Sequence, residues 1–207
     1  MIALIDYRAG NLTSVKKALA TIGAEVFVPD VPDDLANAAG IIVPGVGHFG
    51  ATRALDQPWI DAILARVGEG RPLFGICLGM QWLFEGSDEA PELSGLGLLS
   101  GRCYRLLSTP HSALRNPQSV KVPHVGWNSL EVQREGGLLD QVSDGSQVYF
   151  THSYAAPING DARAVTTHGG TFAAVVQRGH IGGVQFHPEK SGDVGLRILR
   201  NFVELAG

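Results

Sequence analysis

Cys77 stands at the seam between an apolar run, Leu73-Phe74-Gly75-Ile76, and a helical pattern, Met80 to Glu85, with glycine two residues before it and two after it. A strand that turns directly into a helix crowds the backbone around the turning residue, and glycine at 75 and 79 removes the Cβ atoms that would collide. The pattern is that of a nucleophile elbow with cysteine in place of serine. A helix N-terminus beneath the sulfur favours the thiolate over the thiol. The competing reading is a buried cysteine packed as a small hydrophobe, and two glycines at an element boundary weigh against it.

The first 80 residues alternate short apolar runs with helical patterns, the trace of a parallel sheet with crossover helices. IALID (2–6), EVFV (25–28), GIIVPGVG (40–47) and PLFGIC (72–77) read as strands. Asn11 can cap a helix whose Val15, Ala18, Leu19 and Ile22 share one face, with Gly23 ending it. A short helical turn is expected around Leu35, and a helix restarted near Pro58 presents Ile60, Ile63, Leu64 and Val67 as one stripe. From about residue 96 strand candidates crowd together: LGLL, CYRLL, SVKV, SLEV, QVYFTHSY, ARAVTT, FAAVVQ and HIGGVQFH, punctuated by Gly, Pro and Asn. A final helix is expected over Val194 to Leu205. These elements predict one α/β domain over residues 1–207: a mixed, mainly parallel central sheet with flanking helices and a more antiparallel C-terminal half. STPHSALRNPQS (108–119) reads as an exposed loop or a partner-facing insertion.

At 207 residues the chain can bury roughly 70% of its unfolded surface, enough for a core without staples. Sixteen Lys plus Arg against 20 Asp plus Glu give a net charge of −4, which argues against a general nucleic-acid binder. The apolar run after Met1 is too short for a signal peptide or an anchor, and no segment reaches the ~18 apolar residues of a membrane span. Cys77 and Cys103 lack paired spacing, so a cytoplasmic protein with free thiols is expected. Cys103 reads as a plain strand residue.

A thiolate hydrolase needs a base and a group that orients it. His187 ends the strand Gly183-Val184-Gln185-Phe186, and Glu189 follows two residues later across Pro188. In an extended chain the two side chains share a face, so the carboxylate can fix the imidazole tautomer. An isolated His-Pro-Glu is more often a turn; beside the elbow it completes a Cys…His…Glu set. Pro44-Gly45-Val46-Gly47, at the carboxyl end of the third strand, is placed to supply a backbone N–H that, with that of Leu78, holds a developing oxyanion. Neither glycine-rich stretch matches a phosphate loop or a dinucleotide fingerprint.

PGVG (44–47), GICLGMQ (75–81) and QFHPEKS (185–191), in that order, resemble the signatures of class I glutamine amidotransferases. Within that class IDYRAGNLTSV (5–15), PGVGHFG (44–50), VPHVGWN (122–128) and YFTHSY (149–154) are similar to the glutaminase subunits of imidazole glycerol phosphate synthase, over essentially the whole chain. The resemblance implies a flavodoxin-like sheet and catalysis by Cys77, His187 and Glu189. It further implies a glutamine pocket formed by Gln81, Glu89 and the backbone of Gly45, Val46, Gly47, Leu78, Ser153 and Tyr154. No cofactor or metal is implied. The implied partner is a (βα)8-barrel cyclase subunit in a heterodimer, contacted near Asn11, Ser14, Trp127, Tyr149 and Lys190, with Trp127 on a loop as anchor. Arg8 departs from the pattern, because these subunits commonly carry Gly there; if the position needs a positive φ, arginine adopts it at a cost. Another amidotransferase of this fold, a stand-alone γ-glutamyl hydrolase and a non-catalytic binding module are the competing readings.

Overall fold

The computed structural model describes residues 1–108 and 120–207. Strands are β1 (Ile2–Leu4), β2 (Val26–Phe27), β3 (Gly40–Val43), β4 (Leu73–Ile76), β5 (Gly86–Ser87), β6 (Arg102–Arg105) and β7 (His124–Ser129). They continue with β8 (Glu131–Val132), β9 (Gln147–His152), β10 (Tyr154–Ala155), β11 (Ala162–Thr167), β12 (Thr171–Arg178) and β13 (Ile181–Val184). Helices are α1 (Leu12–Thr21), α2 (Gln57–Gly68), α3 (Leu78–Trp82) and α4 (Gly192–Leu205).

Strands β1, β3, β4 and β13 are buried on both faces, which is why each reads as an unbroken apolar run and not as an alternation. They form the centre of an eight-stranded sheet in the order β2-β1-β3-β4-β13-β12-β11-β8. The pairs from β2 through β13 are parallel, and those from β13 through β8 antiparallel. Mixed, mainly parallel with an antiparallel C-terminal half is therefore the architecture observed. Ile2 and Leu4 join one apolar cluster with Val15 and Leu19 of α1 and Ile198 and Phe202 of α4. Ala3 and Ile5, on the opposite face, join Leu35, Phe49, Ile63 and Val67. A smaller sheet, β10-β6-β5, and a ribbon, β7-β9, lie outside the main sheet.

Several local expectations are corrected. LGLL forms no strand, and α3 stops at Trp82, short of the helical pattern that runs to Glu85. VPHVGWN, expected as a loop, is strand from His124 onward: its Pro, Gly and Asn are turn formers, yet His124 to Ser129 pairs antiparallel with Gln147 to His152, Trp127 opposite Tyr149. Residues 109–119 of the expected loop 108–119 lie outside the described residues.

Asn11 accepts a hydrogen bond from the Ser14 N–H at 3.2 Å and caps α1. The turn before it takes Arg8 to φ 62°, the left-handed region, at a cost of about 1–2 kcal/mol for a residue with a Cβ. Arg8→Gly relieves that strain and adds chain entropy to the unfolded state, so a net gain of about 0.5–1 kcal/mol is expected in chemical denaturation. A loss of stability would show that the Arg8 side chain itself holds the loop.

Candidate active site

The carboxyl ends of β3, β4 and β13 bring Pro44 to Gly47, Cys77 and Gln185 to His187 to one edge of the sheet. Cys77 leaves β4 at φ 52°, ψ −106°, and α3 starts at the next residue. Such a backbone is sparsely populated by residues with side chains, and the crossing holds it in place. A Cβ on Gly75 would lie 2.6 Å from the Gly79 carbonyl carbon, and one on Gly79 would land on the Val43 carbonyl. The two glycines thus let the strand, the turn and β3 approach closely, as the spacing around Cys77 requires.

His187 is 1% exposed, and its Nδ1–H donates to Glu189 Oε1 at 2.8 Å. Pro188 to Lys190 form a 3-10 turn, not the extended segment expected from sequence; proline suits the first position of a helical turn, and the turn curls the carboxylate back to the ring. The His187 N–H donates to the Tyr149 carbonyl at 2.9 Å, and Ser191 Oγ donates to the His187 carbonyl at 2.6 Å, so the backbone carrying the ring is pinned on both sides. Nε2 is buried with no hydrogen-bond partner among the described residues, which leaves it for a proton exchanged with a reacting group. Burial disfavours the imidazolium, but the neighbouring Cys77 and Glu189 more than offset this and push the pKa of His187 up to about 9.

His187 is therefore protonated across the neutral range and loses its proton as pH rises through about 9. A reaction that needs this proton on a leaving group slows above that pH. Glu189→Gln removes one of the two attractions, so the alkaline limb of the pH–rate profile is expected to move down toward the ordinary histidine range near 6.5. An unmoved limb would mean that Glu189 does not set the charge of His187.

A cavity of about 320 Å³ opens over the sulfur, lined by Val46, Gly47, Cys77, Leu78, Gln81, Glu89, Ser153 and Tyr154 among others. Every residue expected around the substrate lines it except Gly45, which lies buried beneath. Glu89 is half-buried there, its Oε2 accepting from the Phe49 N–H at 2.7 Å, and is not a freely solvated loop charge. Gln81 is 4% exposed and donates to the Tyr154 carbonyl at 2.7 Å and to Gln185 Oε1 at 3.1 Å. Gln185 in turn directs its amide at Cys77 Sγ, 3.6 Å away. Sequence reasoning passed over Gln185, although a polar residue between Val184 and Phe186 in a buried strand signals a specific partner.

The expected oxyanion donors are both occupied. The Leu78 N–H donates to the Gly45 carbonyl at 3.3 Å, and the Val46 N–H turns away to the Ala9 carbonyl at 2.6 Å. Carbonyl and N–H belong to the same Gly45–Val46 peptide, whose oxygen faces the place where a developing oxyanion needs donors. On the ribbon, Trp127 is 57% exposed, its ring meeting Tyr149 edge to face at 6.0 Å, and Lys190 Nζ lies 5.7 Å from the centre of the Tyr149 ring. Cys103 is fully buried in β6, and burial pushes its thiol pKa up.

The chain matches the family Glutamine amidotransferase class-I over residues 3–205. It is a class I glutamine amidotransferase. This amidotransferase is 45% identical over 208 residues to the imidazole glycerol phosphate synthase subunit HisH of Moorella thermoacetica, covering 99% of this chain and 94% of the other. It is 47% identical over 212 residues to the HisH subunit of Halobacterium salinarum, covering 98% and 92%. A solved glutamine amidotransferase superposes with a TM-score of 0.73 at 24% identity over the whole of both chains. PurLQS from Thermotoga maritima superposes with a TM-score of 0.72 at 17% identity over 98% of this chain and 97% of the other, a likeness of fold alone.

Proposed function

We propose that the chain is the glutaminase subunit of an imidazole glycerol phosphate synthase, one glutaminase domain that supplies ammonia to a cyclase subunit in histidine biosynthesis. The observation that carries the chemistry is Cys77 in the wall of a cavity shared with Gln81 and Glu89, with the His187 ring, held by the Glu189 carboxylate, buried beside it. The similarity to HisH subunits over nearly the whole chain carries the pathway.

Cys77 Sγ attacks the side-chain amide carbon of glutamine. His187 carries the thiol proton to the departing nitrogen, so ammonia leaves and a γ-glutamyl thioester remains. Water, deprotonated by the now neutral His187, adds to the thioester carbon; collapse releases glutamate and the Cys77 thiolate, and His187 keeps the proton taken from water. Glu189 holds Nδ1–H throughout, which keeps Nε2 facing the sulfur and stabilises the imidazolium.

Ammonia released into neutral water becomes ammonium, which is no nucleophile, so hydrolysis has to be coupled to a consumer. The Gly45–Val46 peptide supplies the means: with its oxygen toward the site the oxyanion lacks donors, each worth roughly 3 kcal/mol in the transition state. Turning that peptide over frees the Leu78 N–H and brings in that of Val46. A cyclase subunit with a (βα)8-barrel fold, docked on the exposed Trp127 with Tyr149 and Lys190 and reaching Asn11 and Ser14, is the partner whose bound ribotide biases the peptide. Trp127→Ala is expected to weaken subunit association at least about 30-fold, as for a central aromatic anchor, and to leave the isolated fold intact. Unchanged affinity by titration calorimetry would move the interface elsewhere. No helix among the described residues is long and apolar enough to cross a membrane, and the two free cysteines fit a reducing cytoplasm.

Glutamate release tests the assignment, measured for the chain alone, with the cyclase subunit, and with that subunit plus ribotide. Stimulation that needs both is the result expected. Full activity alone favours an independent γ-glutamyl hydrolase, and activation only by a different synthase changes the pathway.

A further inference from the structure

Three histidines lie together outside the catalytic set. The His124 ring is sandwiched between Phe150, with centroids 4.6 Å apart, and His168, at 4.0 Å, and both stacks are close to parallel. His124 and His152 are 3% and 7% exposed, and His152 lines the cavity above Cys77. Buried polar rings need partners, and here the partners fix every proton.

The Tyr154 carbonyl can only accept, so His152 Nδ1, 2.9 Å away, carries the hydrogen. His152 Nε2 is then the acceptor for His124 Nδ1–H at 3.0 Å. His124 Nε2 accepts in turn from the Asn128 amide at 3.3 Å. That amide is oriented by its own neighbours: Oδ1 accepts from the Ser129 N–H at 2.9 Å, and Nδ2 also donates to the Thr167 carbonyl at 3.1 Å. The hydrogen bonds all run one way, from Asn128 on the ribbon to Tyr154 in the cavity wall. Burial foremost, and then the facing imidazoles, pushes His124 down to about 3. Burial likewise takes His152 down to about 4, with His168 and His187 adding to it and the Tyr154 hydrogen bond opposing. The imidazoles are thus neutral at working pH, as the one-way order needs.

We propose that His124 and His152 are positioning residues for the glutamine pocket, a directional hydrogen-bond chain that holds the Tyr154 peptide against Gln81 and so sets the wall facing Cys77. The Tyr154 carbonyl receives two hydrogens, one from His152 and one from Gln81 at 2.7 Å, which fills both lone pairs and fixes the peptide plane. The chain begins one residue from the exposed Trp127, so the docking ribbon and the substrate wall share one hydrogen-bonded path. The proposal rests on the glutaminase reading for its kinetic part and on the imidazole tautomers for its structural part.

The test is made on each part. In a long-range proton–nitrogen spectrum of the free chain, His152 is expected with hydrogen on Nδ1 and a bare Nε2, and His124 likewise; hydrogen on His152 Nε2 overturns the proposal. In the complex with its partner, His124→Phe keeps the stack but donates nothing. It is expected to raise the KM for glutamine about tenfold with kcat held within about twofold, the worth of one net hydrogen bond. His124→Asn, whose amide nitrogen stands near the place of Nδ1, is expected to recover most of that loss although it gives up the ring. The opposite order, phenylalanine normal and asparagine impaired, means that His124 only packs, and overturns the proposal. A wild-type complex without glutamine hydrolysis sinks the glutaminase reading, while the spectrum still decides the hydrogen-bond chain.

Discussion

Cys77→Ala is expected to reduce glutamine hydrolysis by at least about 10⁴-fold, because Cys77 is the one thiol in the cavity wall and the Thr151 and Ser153 hydroxyls there are far weaker nucleophiles without a paired base. Gln185, the residue that directs its amide at the sulfur, is not a nucleophile, and Cys103 is fully buried with its pKa raised. The substitution leaves the cavity, Gln81 and Glu89 in place, so glutamine still binds. The cyclase reaction of the complex persists when free ammonia is supplied at alkaline pH, since the variant loses only the source of ammonia. Glutamate release above about 1% of wild type would show that His187 activates water directly on the amide, and the thioester route would be wrong.

Gly79→Ala is expected to have the largest effect on stability. The added methyl would fall on the Val43 carbonyl, part of the central sheet, and neither strand β3 nor the elbow can retreat without breaking the pairing of β3 with β4. A cost of at least about 3 kcal/mol follows, a fall of about 10 °C in melting temperature for a chain of this size. Gly68→Ala, at the end of α2 with nothing near the new methyl, serves as control and is expected to be neutral or stabilising. Equal melting temperatures for the two variants would mean that β3 and the elbow do not meet as described.

Much of the site was legible in the sequence because its information is local. The glycines around Cys77 and the two-residue step from His187 to Glu189 are short-range patterns, and runs such as GIIV and LFGI show strands buried on both faces. What escaped depends on contacts far apart in the chain. Residues 46 and 9 meet through a peptide orientation that no residue type encodes, so the occupied oxyanion donors could not be foreseen. His124 and His152 looked unremarkable until strand pairing placed them together, 28 residues apart. VPHVGWN read as a loop because Pro, Gly and Asn are turn formers, yet pairing with Gln147 to His152 overrode that preference and put Trp127 on an exposed face. The extended His-Pro-Glu gave way to a 3-10 turn, and the hydrogen bond survived because the turn brings the carboxylate back to Nδ1.

Under the proposed mechanism Cys77 is a glutamine-specific nucleophile held in check by the Gly45–Val46 peptide. Labelling the chain with a glutamine analogue that carries an electrophilic carbon at the side-chain carbonyl, followed by peptide mapping, reads out both properties. A single adduct on Cys77 and none on Cys103 is expected, formed with the cyclase subunit and its ribotide at least about tenfold faster than in the free chain, as restored oxyanion donors require. Labelling at Cys103, no labelling at all, or equal rates with and without the partner would rule that mechanism out.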